Sequence, residues 1–161
     1  KHYLLQGYSS MRGTLDSVER LARLVHGLNK QGANIEHVPI KLDGAKTLHL
    51  DYAVNYAGQG ATRSMLVAPH ALADQNDIGR MQWMFGVPEG GILVIPPEAM
   101  LHAGANISCP NPGEVFVAEN EHCAATAAFL EGRGIHVILS PFHMTLKDGA
   151  YHCCVGQLLR L

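Results

Sequence analysis

A chain of 161 residues, 47% of them apolar and with a formal net charge of −2, is long enough to bury a sizeable core and has no basic stripe to neutralise a phosphate backbone. Its longest apolar stretches are strand-length, so no membrane-crossing helix is expected, and the amino-terminal residues lack the charged, apolar and small-residue succession of a secretory leader. The four cysteines, Cys109, Cys123, Cys153 and Cys154, form no CxxC pair, and the ten histidines stand singly without an HExxH pattern, so reduced cytoplasmic thiols and no metal site are expected. Residue 1 is Lys and a strand-like run begins at once, so the chain is expected to be a piece of something longer.

In chain order, His2 to Leu5 reads as a strand. Gly13 and Thr14 then open a helix in which Leu15, Val18, Leu21, Ala22, Val25 and Leu28 share one face. Thr14 suits the N-cap, Asp16 and Glu19 suit the positive end, and Gly32 suits the stop. Ile35 to Ile40 follows as a strand. Thr47 to Tyr56 alternates like another, and Ser64 to Ala68 is the next. A weakly patterned helix is expected over about residues 74–85, then a short strand, Ile92 to Ile95. Ala105 to Ser108 and Glu114 to Ala118 are expected strands joined by the turn-forming Cys109-Pro110-Asn111-Pro112-Gly113. Asn120 can cap a helix through Leu130, with Gly132 or Gly134 ending it. Ile135 to Leu139 and Tyr151 to Leu159 are the last strands. The order strands, helix, strand recurs about two and a half times at roughly 45-residue spacing. No GxGxxG or P-loop follows a strand, so a nucleotide-binding sheet is unsupported.

Three short segments carry candidate chemistry. In Leu48-His49-Leu50-Asp51, a strand would turn His49 and Asp51 to one face. A histidine and a carboxylate among apolar neighbours are either a satisfied structural pair, an exposed face, or a site. In Lys147-Asp148-Gly149-Ala150-Tyr151-His152-Cys153-Cys154, an Asp-Gly turn feeds a strand in which only one of the adjacent cysteines can face a given site. Those thiols are either small buried hydrophobes or a nucleophile that needs a base or cation beside it. In Ser9-Ser10-Met11-Arg12-Gly13, the guanidinium is either solvated or holds a carboxylate with two parallel hydrogen bonds.

Taken together, these segments resemble the guanidino-modifying enzymes of the pentein fold: arginine deiminase, dimethylarginine dimethylaminohydrolase and the amidinotransferases. The resemblance rests on Arg12-Gly13 before a helix, Val38-Pro39 in a strand followed by Leu48-His49-Leu50, and Asp148-Gly149 before Cys153-Cys154, in that order along most of the chain. It implies an α/β chain of ββαβ repeats, a partial propeller of about two to three blades, with residues 1–161 forming one domain that is the carboxyl-terminal part of a pentein catalytic domain. It implies that Cys153 is the nucleophile and His49 the general acid and base. Asp148 and Asp51 would hold the guanidinium, and Arg12 the substrate's α-carboxylate. No cofactor is implied.

The methylarginine hydrolases have a lysine where Asp51 stands. The His-x-Asp form is similar to arginine deiminase and the amidinotransferases, so the resemblance leans toward arginine or another simple guanidine. It implies hydrolysis through a covalent thiouronium on Cys153. Amidinotransfer, or a scaffold without catalysis, are the alternatives. A further acidic ligand of the family has no match here, so an N-terminal half or a second copy of the chain is the expected partner, with no nucleic acid and no membrane.

Overall fold

A computed structural model of the protein describes residues 2–10, 13–47 and 49–141. Two compact units form, one from residues 1–50 and 70–77, the other from residues 51–69 and 78–161.

The first unit is a strand–helix–strand crossover. Strand β1 (His2–Tyr8) leads into helix α1 (Leu15–Lys30) and returns as β2 (Ile35–Lys41). The strands pair in parallel from His2 opposite Ile35 to Tyr8 opposite Lys41, and a helix is the usual means of joining parallel neighbours. Thr14 occupies the N-cap position of α1, and the Ser17 hydroxyl donates back to its carbonyl at 2.7 Å. Asp16 lies in the first turn and pairs with Arg20 at 2.9 Å. The helix stops at Lys30, and just beyond it Gly32 has a φ of 96°, which suits a residue without Cβ. Asn29 then clamps the start of β2, donating to the Ile35 carbonyl at 2.7 Å and accepting from its amide at 2.9 Å. Val38 and Ile40 share a strand face and are fully buried. The expected apolar face of α1 is less buried than its periodicity suggests. Val25 is covered, but Leu15 is 66% exposed and Leu28 38%.

The second unit repeats one arrangement twice. After a short helix α2 (Leu50–Ala53) come β3 (Val54–Ala57) and β4 (Ser64–Val67), then helix α3 (Asn76–Phe85) and β5 (Ile92–Val94). A five-residue helix α4 (Pro97–Leu101) precedes β6 (Ser108–Asn111) and β7 (Glu114–Ala118), then α5 (Ala124–Gly132) and β8 (His136–Ser140). Each set forms a three-stranded sheet, in the orders β3-β4-β5 and β6-β7-β8. The first pair in each is antiparallel and the second parallel. Central β4 is buried along its whole length, with Met65, Leu66 and Val67 fully inaccessible, and Val115 on β7 is its counterpart in the second sheet. Strands covered on both faces read as continuous apolar runs.

Side chains tie the two sheets together. Asn55 donates to the Ile107 carbonyl at 3.4 Å, and the Cys109 thiol to the Tyr56 carbonyl at 3.2 Å. Arg133, just past α5, donates to the Ala61 carbonyl at 2.6 Å. Asn120 caps the next turn by accepting from the Cys123 amide at 3.0 Å.

Three expectations are corrected. Thr47 to Tyr56 is not one strand: residues 50–53 are helical, and pairing starts at Val54. Ala105 to Ser108 is not a strand: β6 starts at Ser108 and takes in three residues of the expected turn. Helix α4 is additional, marked by Pro97 at its start. The expected strand Tyr151 to Leu159 lies outside the described residues.

Because β4 is the buried centre of its sheet, Leu66→Ala should cost about 2–5 kcal/mol. Trp83, 78% exposed on α3, should tolerate Ala within about 0.5 kcal/mol. Denaturant unfolding of the two variants checks the contrast.

Candidate active site

In the first unit, the expected site segments leave the carboxyl ends of the parallel pair. The loop bearing Arg12 follows β1, and the segment bearing His49 follows β2. Ligands of parallel α/β sheets bind at this end, where the loops gather. A Cβ built on Gly7 would lie 2.8 Å from the Leu50 Cβ, and one on Gly13 would lie 2.8 Å from the Gly7 carbonyl oxygen. Gly13 also has a φ of 62°, so the Arg-Gly pair has a local cause: no other residue fits there without strain. A cavity of about 500 Å³ opens beside this turn, lined by Tyr8, Ser9, Ser10, Thr14, Asp16 and Lys41. Arg12 itself lies outside the described residues.

His49 is exposed, on the segment just before α2. Its backbone is fixed by Thr47, whose hydroxyl donates to the His49 carbonyl at 3.1 Å and accepts from its amide at 3.3 Å. Local hydroxyl–backbone bonds of this kind compete with extended pairing. They account for the failure of the expected strand, and with it of the inference that His49 and Asp51 share a strand face.

Asp51 belongs to the second unit and sits in the first turn of α2, half-buried. It accepts from the Asn106 side-chain amide at 2.8 Å through Oδ2. Asn106 is fully buried. Its signal in the sequence was a single amide between Ala105 and Ile107, in an apolar run where an unpartnered polar group would be costly. Asp148 and Cys153 lie outside the described residues, in the segment that follows the carboxyl end of β8.

The two other cysteines outside that segment are shielded. Burial pushes the Cys109 thiol up to about 11, beside a cavity of about 280 Å³ lined by Tyr56, Cys109, Pro110 and Asn111. Burial also raises Cys123, which is opposed in part by the hydrogen bond with Asn120. Neither has the ionised thiol that a nucleophile needs. Among the described residues no group of three or more His, Cys, Asp or Glu side chains could hold a metal, and no helix is long and apolar enough to cross a membrane.

No protein-family model matches the chain, and no curated protein does. Solved structures do. The chain is similar over 94% of its length to apo ArgZ, an arginine dihydrolase from the ornithine–ammonia cycle in cyanobacteria, at a TM-score of 0.71 and 20% identity, covering 21% of that chain. It is similar over 87% of its length to the substrate-bound N-terminal domain of ArgZ, at a TM-score of 0.64 and 18% identity, covering 45% of that domain. It is similar over 94% of its length to SxtG, an amidinotransferase from Microseira wollei, at a TM-score of 0.61 and 17% identity, covering 43% of that chain. The chain thus spans less than half the length of each, and what it shares with these enzymes is the fold.

If shielding governs the thiols, Cys109 and Cys123 should resist iodoacetamide in the folded protein at pH 8. With a pKa of about 11, only roughly one Cys109 in a thousand is ionised there. The same raised pKa means that Cys109 favours the folded state below its unfolded pKa and loses that contribution as pH rises from about 9 towards 11. Peptide mass spectrometry before and after unfolding reads the protection directly.

Proposed function

We propose that this chain supplies the nucleophile and part of the substrate-binding apparatus of a cysteine-dependent amidinohydrolase acting on arginine or a related guanidine. The observation that carries this reading is one of agreement. The fold is that of an arginine dihydrolase and an amidinotransferase, and Arg12, His49, Asp51, Asp148 and Cys153 stand in the order on which the resemblance to the guanidino-modifying enzymes rests.

A guanidinium is stabilised by resonance and is a poor electrophile, so it must be oriented and its charge balanced. Asp51 and Asp148 do this through hydrogen bonds to its nitrogens, and Arg12 receives the α-carboxylate as a two-pronged pair. The bound cation favours the Cys153 thiolate. That thiolate adds to the central carbon, and a carbon–nitrogen bond breaks as His49 gives its proton to the departing nitrogen. A covalent thiouronium remains on the sulfur. Water, losing its proton to His49, adds to the same carbon, and the carbon–sulfur bond breaks. From arginine the products are citrulline and ammonia.

Amidinotransfer is the second reading, favoured by the likeness to SxtG: an acceptor amine resolves the intermediate in place of water. Under either reading the sheets are part of an incomplete propeller, completed by an N-terminal half or by another copy of the chain.

Cys153→Ser should lower turnover by at least roughly a thousandfold with an unchanged circular dichroism spectrum, and normal activity in that variant would end the assignment. His49→Ala should block either formation or breakdown of the covalent adduct, which intact-mass measurement with arginine distinguishes. Release of citrulline and ammonia, set against transfer of the amidino group to glycine, separates the two reactions. Sedimentation should find the chain self-associated or bound to a fragment carrying the rest of the fold. A monodisperse monomer would remove the partner from the reading.

A further inference from the structure

We infer that Asn106 is a positioning residue for Asp51, an inference that rests on the proposed role of Asp51 as a guanidinium ligand. Asn106 is fully buried, yet its side-chain amide reaches both the Asp51 carboxylate, at 2.8 Å to Oδ2, and the Asp51 carbonyl, at 3.5 Å. A buried amide that meets one residue at two points fixes where that residue's carboxylate can sit. A hydrogen bond to a charged acceptor is also stronger than one to a neutral acceptor.

The segment that presents Asn106 is built for rigidity. Gly104 to Ser108 is buried throughout. Ala103 has a φ of 65°, an unfavourable conformation for a residue with a Cβ, which persists only where the surroundings impose it. The Gly104 amide donates to the Ala99 carbonyl at 2.7 Å, so closely that a Cβ on Gly104 would lie 2.8 Å from that oxygen. The buried Thr126 hydroxyl, from α5, donates to the Gly104 carbonyl at 2.7 Å. The Asn106 amide returns to the Ala103 carbonyl at 3.0 Å, and Asn55 holds the Ile107 carbonyl from β3. Helix α4, helix α5 and strand β3 therefore converge on the few residues that carry this one side-chain amide. Such outer support is what holds a reacting group to the tolerance that catalysis requires.

The geometry also assigns a direction to the effect. Asn106 meets Asp51, so its loss removes none of the proposed ligands of the guanidinium and loosens only the orientation of the Asp51 carboxylate. Asn106→Leu keeps the volume and removes the donor.

The test uses the full chain and chloroacetamidine, an amidinium whose chloride the Cys153 thiolate displaces, forming a carbon–sulfur bond. Labelling of Cys153 should slow by roughly tenfold or more in Asn106→Leu, with the loss falling on the half-saturating concentration of the probe. In an Asp51→Ala background, Asn106→Leu should change nothing further, since the pair acts as a unit. The Asn106 side-chain NH₂ resonances should move in Asp51→Ala, a readout independent of any reaction. If Asp51→Ala labels as fast as the unaltered chain, or the unaltered chain does not label, the proposed function fails and the inference with it. If Asp51→Ala is slow but Asn106→Leu labels normally, or the two losses simply add, only the role of Asn106 is overturned. Should Asn106→Leu not fold, unmoved NH₂ resonances in Asp51→Ala overturn it instead.

Discussion

The absence of a side chain at Gly7 sets the geometry of the first unit's carboxyl-terminal end. Leu50 approaches so closely that a Cβ on Gly7 would lie 2.8 Å from its own, and the Leu42 side chain stands 3.0 Å from the same point. On the other side, Gly13 turns back until its own missing Cβ would meet the Gly7 carbonyl. The loop after β1 and the segment after β2 therefore both close on one backbone position. A parallel pair sends its successive loops to the same end, but only small residues let them close this tightly. A single methyl group at Gly7 would displace Leu50, the neighbour of His49, from β1.

The second unit solves a different problem. There the carboxylate of Asp51, half out of water, is held by a directional contact. Apolar packing alone cannot do that, because it has no directional preference. A buried amide does, at the cost of desolvation, and that cost is recovered only if its hydrogen bonds are made. Asn106 makes them to Asp51, and the backbone around it is fixed by Thr126, Ala99 and Asn55. The unfavourable φ of Ala103 is the conformational expense of turning the chain from α4 into β6 while keeping Asn106 inward.

Most of the strands and the long helix were legible because their periodicity is local. Helix α1 begins at Leu15 and stops before Gly32 as its capping residues suggest, and β7 matches its expected residues throughout. The expectations that failed depended on contacts far apart in sequence. Leu48-His49-Leu50-Asp51 alternates as well as any strand, but among the described residues no strand pairs with His49 to Asp51, and the Thr47 hydroxyl bonds the His49 backbone locally instead. Asn106 was hidden for the same reason: its importance comes from a partner 55 residues away. The order of Arg12, His49, Asp51, Asp148 and Cys153 was legible only as a whole, since each residue alone has an ordinary structural explanation.

The proposed chemistry also explains why an enzyme of this kind would place two carboxylates around a thiol. Negative charge beside a cysteine opposes its ionisation, so under that proposal two carboxylates would hold the thiol in its unreactive form until a cation binds. A guanidinium reverses the sign of the local field and supplies the hydrogen bonds that both carboxylates need. The substrate's own charge would then switch on the nucleophile. In the proposed reaction a neutral ureido product such as citrulline would bring no such charge, so it would neither bind as firmly nor sustain the thiolate, and the reverse reaction would be suppressed without any further device. This logic requires the carboxylates to stay in place when no cation is present to order them. For Asp51, one such constraint is the hydrogen bond from the side-chain amide of Asn106.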